Sequence, residues 1–529
     1  MTILSLKPGH DGNIAALRDG RLLFSLESEK DSFPRYADLT PTAILRGLSL
    51  LDEPPDIIAL GGWVKGWHSV EPPCEAGYYG IEAAGVRTSM MNVFGRPTRI
   101  FSSTHERSHV LGAFGMSPFP QGEPCYALVW EGNLGDFYRI DEQVNVTRLA
   151  HVLTDPGNKY AFLFAVGDPY FPAGKGLLRL EDAGKLMALA SYSDRAPMTA
   201  DERRLVDDLL SRDGIILSTP KTEFSYSPFY SIGVTHPSFK NLAGKFSDAL
   251  FDRFYRYAKD HLKEGLPLVI SGGCGLNCEW NSRWEESGLF ADVFVPPCAN
   301  DSGSALGTAI DAQRHYTGRA KIAWDVYAGE AFEDDGGVDA STFATLPLDV
   351  DKVARFLDEG AIVAWVQGRC EMGPRALGNR SLLAAPFTAA TRERLNIVKQ
   401  REPYRPIAPI VLEEQAGELF ECSRPSPHML YFQRVKHDRL HAITHVDGSA
   451  RIQTVSAAQN PPCHRLLDAF RRRTGAGVLC NTSLNVKGRG FINRMSDLAQ
   501  YASDRGLDGF VVHDRFFVRT SSPAAGAVK

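Results

Sequence analysis

T-I-L-S-L-K-P-G-H-D-G-N-I-A-A-L-R-D-G-R-L-L-F-S-L-E, residues 2–27, alternates short apolar runs with two turns. T-I-L-S-L is long enough for one buried strand. P-G-H-D-G follows, and its Gly9 and Gly12 let the backbone turn sharply, so that amides can face an anion. N-I-A-A-L then leads through R-D-G-R into L-L-F-S-L-E-S-E. An Asp-Gly pair between apolar runs is a hairpin signal. A strand, a glycine turn and a second strand at the head of a long chain predict an α/β fold whose first loop can grip an anion.

The bulk composition narrows the class. At ~100–200 residues per domain, 529 residues imply two to four domains with room for real cores. The chain is 43% apolar and 23% charged, as in ordinary soluble globular proteins. Its net charge is -5 and it has no long basic block, which argues against a nucleic-acid partner. The nine cysteines are scattered, several inside apolar runs such as those around Cys125 and Cys480. They read as reduced, buried thiols of a cytoplasmic protein. Cys274 and Cys278 have no second pair at zinc spacing. M-T-I-L-S-L-K-P-G-H is too short for a signal core, and no window nears ~18 apolar residues, so no membrane span is expected.

Outward from the opening hairpin, P-T-A-I-L-R-G-L-S-L (41–50) predicts an amphipathic helix and D-I-I-A-L-G-G-W a buried strand. F-S-S-T-H-E-R-S-H-V (101–110) puts His105 and His109 one helical turn apart on one face, able to share a metal. It also spells H-E-x-x-H, the zinc-protease signature with Glu106 as base, or simply a helix that carries two histidines. C-Y-A-L-V-W-E-G-N-L-G-D-F-Y-R-I predicts another hairpin, with Glu131, Gly132, Gly135 and Asp136 in its turn. The repeated strand–acidic/Gly turn–strand unit implies a duplicated fold. Residues 158–192 read as mostly helical and include Glu181, Gly184 and Lys185. A stretch rich in Ser, Pro and aromatics runs from 212 to 240, and 241–262 is helical again. L-P-L-V-I-S-G-G-C-G-L-N-C (266–278) is a strand, a Gly-Gly turn and a helix start, an arrangement suited to a nucleotide, since small residues admit it close to the backbone and the helix N-terminus favours its negative charge. N-D-S-G-S-A-L-G places Asp301 at the mouth of a helix, as a ligand or as an ordinary turn aspartate. Residues 316–350 lose periodicity, which sets a domain boundary near 340: an N-terminal unit 1–340 and a C-terminal unit 341–529.

The second unit concentrates cations. Q-G-R-C-E-M-G-P-R-A-L-G-N-R-S-L and V-K-Q-R-E-P-Y-R-P-I-A-P supply Arg369, Arg375, Arg380, Lys399, Arg401 and Arg405. Interleaved Gly and Pro forbid one long helix, so these arginines belong on loops and strand ends, where bidentate phosphate binding is natural. Arg451 follows in G-S-A-R-I-Q-T-V, and N-T-S-L-N-V-K-G adds Asn481, Ser483 and Lys487.

Together G-P-R-A-L-G-N-R-S, V-K-Q-R-E-P-Y-R-P-I-A-P, N-T-S-L-N-V-K-G, S-G-G-C-G-L-N-C and the G-H-D-G opening resemble the O-carbamoyltransferases that decorate antibiotics and nodulation factors. The resemblance covers nearly the whole chain. It implies an α/β protein with a duplicated actin/sugar-kinase-like (ASKHA) N-terminal domain and an α/β YrdC-like C-terminal domain. It further implies ATP with Mg²⁺ and carbamoyl phosphate as co-substrates, Fe²⁺ or another divalent metal as cofactor, and a hydroxylated natural product as acceptor. Carbamoyl-adenylate would form on Arg369, Arg401, Arg405, Arg451, Asn481 and Ser483, with Lys399 and Lys487 as weaker candidates. For the transfer, His10 is implied as general base. His105, His109 and Asp301 are implied as metal ligands, and Arg35, Gly272, Gly273, Asn277 and Lys185 as adenylate contacts. Arg35 stands where the family more often has a lysine. Glu131 stands where it more often has a ligating aspartate, so Glu131 or Asp136 takes that role, or the ligand is lost; Glu131 is preferred. A cephem 3-hydroxymethyl group is the favoured acceptor, ahead of ansamycins, aminoglycosides and macrolide sugars, with F-S-Y-S-P-F-Y (224–230) as an acceptor wall. A homodimer is the default assembly. Competing readings are an ASKHA-type small-molecule kinase, a nucleotide-sensing module without activity and, last, a metalloprotease. The kinase and the protease leave the arginine-rich half without a purpose.

Overall fold

The computed structural model describes residues 1–63, 76–82, 85–93, 95–173, 178–215 and 219–521. Three sheets organise it. In the first, β1 (Thr2–Lys7), β2 (Asn13–Arg18) and β3 (Arg21–Glu27) form an antiparallel meander, and β4 (Ile57–Gly61), β5 (Val86–Val93) and β6 (Arg96–Ser103) complete the order β3-β2-β1-β4-β6-β5. The Asp19-Gly20 turn has positive φ at both residues, 51° and 82°, as a type I′ hairpin requires. The β5–β6 hairpin has no counterpart in the sequence reading. It is an edge hairpin, and β5 is almost wholly polar or exposed, so it lacks the apolar alternation that signals a strand.

The second sheet repeats the first. β7 (Cys125–Trp130), β8 (Gly135–Ile140) and β9 (Val146–His151) form a meander, and β10 (Leu268–Ser271) and β11 (Val293–Phe294) add parallel to β7, giving β11-β10-β7-β8-β9. Both sheets thus grow from a central first strand, with a meander on one side and parallel strands on the other. The helices Pro156–Gly167, Glu181–Ala190, Ala200–Ser211 and Pro237–His261 lie between β9 and β10 in the chain. They cover that sheet with a core that includes Phe162, Leu205, Phe246 and Phe254.

Between the two sheets run the helices His105–Met116 and Ser304–Thr317. They cross closely: a Cβ on Gly307 would lie 1.9 Å from the Ser108 carbonyl, so only glycine permits the approach. Arg107 locks the crossing with a buried bidentate pair to Asp311, at 2.7 and 2.8 Å. This crossing sets Asp301, just before the second helix, against the histidines of the first.

The chain reaches its third sheet at β12 (Phe343–Pro347). β13 (Val363–Val366), β14 (Arg380–Ala384), β15 (Ala408–Leu412), the ribbon β16 (Phe432–Arg434) and β17 (Ser449–Arg451), β18 (Gln453–Val455), β19 (Val478–Ser483), β20 (Gly509–Val512) and β21 (Arg515–Arg519) follow. Eight of these form one mixed sheet, β12-β21-β20-β13-β14-β19-β15-β18. Val353, Phe356, Leu466 and Phe470 build the core on one face, and Leu395, Leu498 and Ala502 that on the other. Loop 29–37 stitches the halves together. Ser32 N donates to Phe491 O at 2.9 Å, Arg35 N to Gly488 O at 3.0 Å and Lys30 Nζ to Gly373 O at 2.7 Å. No described helix is long and apolar enough to cross a membrane.

Candidate active site

Among the described residues, the donor atoms of His105, His109, Glu131 and Asp301 converge within 4.8 Å of one another, all buried. Thr104 starts the first helix by accepting from Arg107 N, which places His105 in the opening turn and His109 one turn on. Their Nε2 atoms lie 3.0 Å apart, and Asp301 Oδ1 is 3.5 Å from His105 Nε2 and 3.3 Å from His109 Nε2. Glu131 Oε2 is 3.8 Å from His105 Nε2. Its other oxygen accepts from Tyr78 OH at 2.7 Å, and the Tyr78 ring stacks on His105 at 4.4 Å. Gly272 lets the glycine loop approach the end of β7, since a Cβ there would lie 2.4 Å from Trp130 O and 2.7 Å from Glu131 Cβ.

The set suits a divalent metal. Ligand bonds of about 2.0–2.2 Å put neighbouring donors roughly 3–3.6 Å apart; the two histidines and Asp301 stand at that spacing, and Glu131 lies slightly farther out, 3.8 Å from His105. Among the described residues, the two buried carboxylates face one fixed cation, Lys7, whose Nζ is 3.2 Å from Asp301 Oδ2. Burial opposes charge on His105, yet Asp301 and Glu131 hold its imidazole up at about 9. Burial likewise opposes charge on Asp301, but His105 and Lys7 keep it well below the usual carboxylate range.

Asp136 is turned elsewhere, to His151 at 3.2 Å and Arg148 at 3.5 Å. Glu106 also faces away. It accepts from Gly80 N, Tyr138 OH and Arg148 at 2.6–2.7 Å. Glu106→Ala is therefore expected to keep the metal while losing about 2 kcal/mol or more of stability, because charged hydrogen bonds are lost inside the protein. His105→Ala is expected to weaken metal binding by at least about tenfold. Metal analysis and thermal melting check both; equal metal loss in the two variants would return Glu106 to the site.

His10 stands at the rim of the cluster, with its side chain 42% exposed. Its Nδ1 lies 2.9 Å from Asp11 Oδ2 and its Nε2 3.8 Å from Asp301 Oδ2, with Trp63 edge-on at 5.1 Å. An imidazole oriented by a carboxylate and open to solvent can take a proton from an incoming hydroxyl.

The second assembly is cationic. Arg35, Arg375, Lys399, Arg401, Arg405 and Arg451 lie close enough to repel one another. Two carboxylates pair directly with them: Glu29 with Arg35 at 2.9 Å and Glu402 with Arg405 at 3.7 Å. Burial and the neighbouring Arg451, Arg405 and Arg35 push Arg375 down to about 9. Burial and the surrounding arginines hold Lys399 and Arg401 well below their usual values. The arginines nevertheless keep part of their surface open, so an anion can reach them. Asn481 and Ser483 border this region. Lys399 Nζ donates to Ser483 O at 2.6 Å, and Asn481 holds Ala376 O and Gln453 at 3.0 Å.

The two assemblies meet. Arg375 Nη2 donates to Leu276 O at 3.0 Å, in the glycine loop after β10. Asn277 caps the next helix through Oδ1, while its buried Nδ2 has no partner. A Cβ on Gly273 would meet open space. Arg35, expected as an adenylate contact, pairs with Glu29 at 2.9 Å and lies near enough to Arg375 and Arg405 to repel them.

Three expected residues or segments sit elsewhere. Arg369 spends its guanidinium on the carbonyls of Leu23, Ala328 and Gly329, at 2.6–2.9 Å, bracing the junction rather than an anion. Lys185 is tied to Asp182 on its own helix at 2.7 Å. In 224–230, Phe224 and Phe229 are packed in the helical core, which leaves those rings no free face for an acceptor. Arg375, named among the loop cations but not among the adenylate-forming residues, joins the cluster, and Glu371 is not singled out by the sequence. The Glu371 carboxylate accepts from Leu377 N, Asn379 N and Arg380 N at 2.7–3.0 Å, folding the loop that presents Arg375.

Known proteins match this chain along its length. The family model described as Carbamoyltransferase C-terminus covers residues 354–519, and that described as Carbamoyltransferase N-terminus covers 252–310. The 3'-hydroxymethylcephem-O-carbamoyltransferase of Amycolatopsis lactamdurans is 50% identical over 520 residues, 98% of this chain and 99% of that protein. That of Streptomyces clavuligerus is 49% identical, with 98% and 99% covered. Nodulation protein U of Sinorhizobium fredii is 32% identical, with 93% and 95% covered. Among solved structures, an activator of 2-hydroxyisocaproyl-CoA dehydratase from Clostridium difficile aligns with 60% of this chain and 98% of its own at 12% identity, but its TM-score of 0.34 leaves the assignment to the sequence relatives. The chain belongs to the carbamoyltransferase family.

Proposed function

We propose that this chain carbamoylates the 3-hydroxymethyl group of a cephem, using ATP and carbamoyl phosphate by way of a carbamoyl-adenylate. One observation carries the mechanism: an undercompensated arginine cluster abuts the glycine loop, with Arg375 donating to Leu276 O at 3.0 Å. In this reading the C-terminal half is YrdC-like and the duplicated half is ASKHA-like. Arg375, Arg401, Arg405 and Arg451 hold the phosphates of both substrates, while Lys399 spends its three N–H groups on Ser483 O, Asn485 O and Asn485 Oδ1 and braces that loop. Carbamoyl phosphate, ATP and one water give carbamoyl-adenylate, pyrophosphate and phosphate. The adenylate then meets Gly273 and Asn277. The acceptor oxygen attacks the carbamoyl carbon, the bond from that carbon to the AMP oxygen breaks, and His10 takes the hydroxyl proton. His105, His109, Glu131 and Asp301 would hold a divalent metal, which when bound polarises an oxygen as a Lewis acid. These donors suit several first-row metals and do not single out iron.

The near-50% identity to two cephem enzymes over almost their full length supports this acceptor over a nodulation factor. The chain incubated with a 3-hydroxymethylcephem, ATP, Mg²⁺ and carbamoyl phosphate is expected to add one carbamoyl group to the cephem and release AMP. ADP with a phosphorylated cephem would establish the kinase reading instead.

A further inference from the structure

Ser271 ends β10 with a buried hydroxyl placed between two partners. Its Oγ lies 2.9 Å from His109 Nδ1 and 3.3 Å from the carbonyl oxygen of Ala299. That carbonyl also accepts the Gly272 amide at 2.7 Å. A serine hydroxyl has one hydrogen to give, and a carbonyl oxygen can only accept. The hydrogen therefore goes to Ala299, and toward His109 the oxygen acts as acceptor. Nδ1 of His109 must then carry its own hydrogen, which leaves Nε2 with a bare lone pair aimed at Asp301 and His105. His105 has no such device: its Nδ1 is buried without a partner, and its ring is held by stacking on Tyr78.

We propose that Ser271 is a positioning residue: it fixes His109 in the tautomer that ligates a metal and ties that ligand to the glycine loop and to the turn before Asp301. One hydroxyl joins three segments, the histidine helix, the loop Gly272–Leu276 and the Ala299–Asp301 turn. The inference rests on the reading of the four donors as a metal site. It adds that the nucleotide loop and the metal ligand share a hydrogen-bond partner, so that displacing one disturbs the other.

Co²⁺ titration of the full chain against a chromogenic chelator tests this. Ser271→Ala is expected to weaken Co²⁺ binding about 10–100-fold, the usual cost of losing an outer partner of a ligating histidine. Unchanged affinity in Ser271→Ala, with tight binding by the unmodified chain, would overturn this inference alone. Failure of the unmodified chain to bind Co²⁺ in a His105-dependent way would overturn the metal reading together with it. Should Ser271→Ala fail to fold, the Zn²⁺-loaded unmodified chain decides. With ¹⁵N-labelled histidine, His109 is expected to show its ring hydrogen on Nδ1, and a hydrogen on Nε2 would overturn the proposal.

Discussion

Replacing Arg401 by alanine is expected to reduce carbamoyl-adenylate formation by about 10²–10³-fold, the scale for removing a preorganised donor from a charged transition state. Arg401 is held by Asn396 Oδ1 at 2.6 Å and Pro406 O at 3.0 Å. Two of its five N–H groups are thereby spent, and the guanidinium plane is fixed before any substrate arrives. Arg405 and Arg451 press on it, so the free protein stores repulsion that an entering phosphate relieves. Lysine would keep the charge but not the planar fork, so Arg401→Lys is expected to recover only part of the loss. Transfer from preformed carbamoyl-adenylate should survive in both variants, since that step is assigned to the His10 turn. Carbamoyl phosphate-dependent exchange of labelled pyrophosphate into ATP reads the first step by itself. Exchange at the unmodified rate in Arg401→Ala would remove the cluster from the chemistry.

His10→Ala is expected to do the reverse, leaving exchange intact and slowing carbamoyl transfer by about 10²–10⁴-fold, the range for loss of a positioned general base. Two features recommend His10 over the other histidines near the cluster. Among the described residues it is the one with an open face, and Asp11 orients its Nδ1 so that Nε2 points toward Asp301. His105 and His109 are buried and face each other. Single-turnover transfer from supplied carbamoyl-adenylate measures the effect. Equal loss of both steps would show that His10 holds the structure of the turn instead of moving a proton.

Much of this arrangement was readable before any coordinates. The Asp-Gly hairpin, the strand before S-G-G-C-G and the histidine helix each carry strong local signals, and local physics decides them. The duplication was visible only as a repeated unit, because topology can recur where sequence does not. What stayed hidden depends on tertiary context. Arg369 and Arg375 sit alike among glycines in the sequence. Only the folded chain reveals that backbone carbonyls consume the first, while the second faces its fellow arginines. Glu371 looks like a surface acid until three amides wrap around it. Arg35 belongs to the N-terminal half by position and to the arginine cluster by proximity, because loop 29–37 crosses the junction. The aromatic run at 224–230 looked like a binding wall, since exposed and core aromatics cannot be told apart without the helices that bury them.

The most direct measurement is pyrophosphate exchange by the unmodified chain without any acceptor. A carbamoyl-adenylate pathway predicts that label from pyrophosphate enters ATP only when carbamoyl phosphate is present. Carbamoylated product formed with no such exchange would contradict it, and would mean that the carbamoyl group passes directly from carbamoyl phosphate to the alcohol.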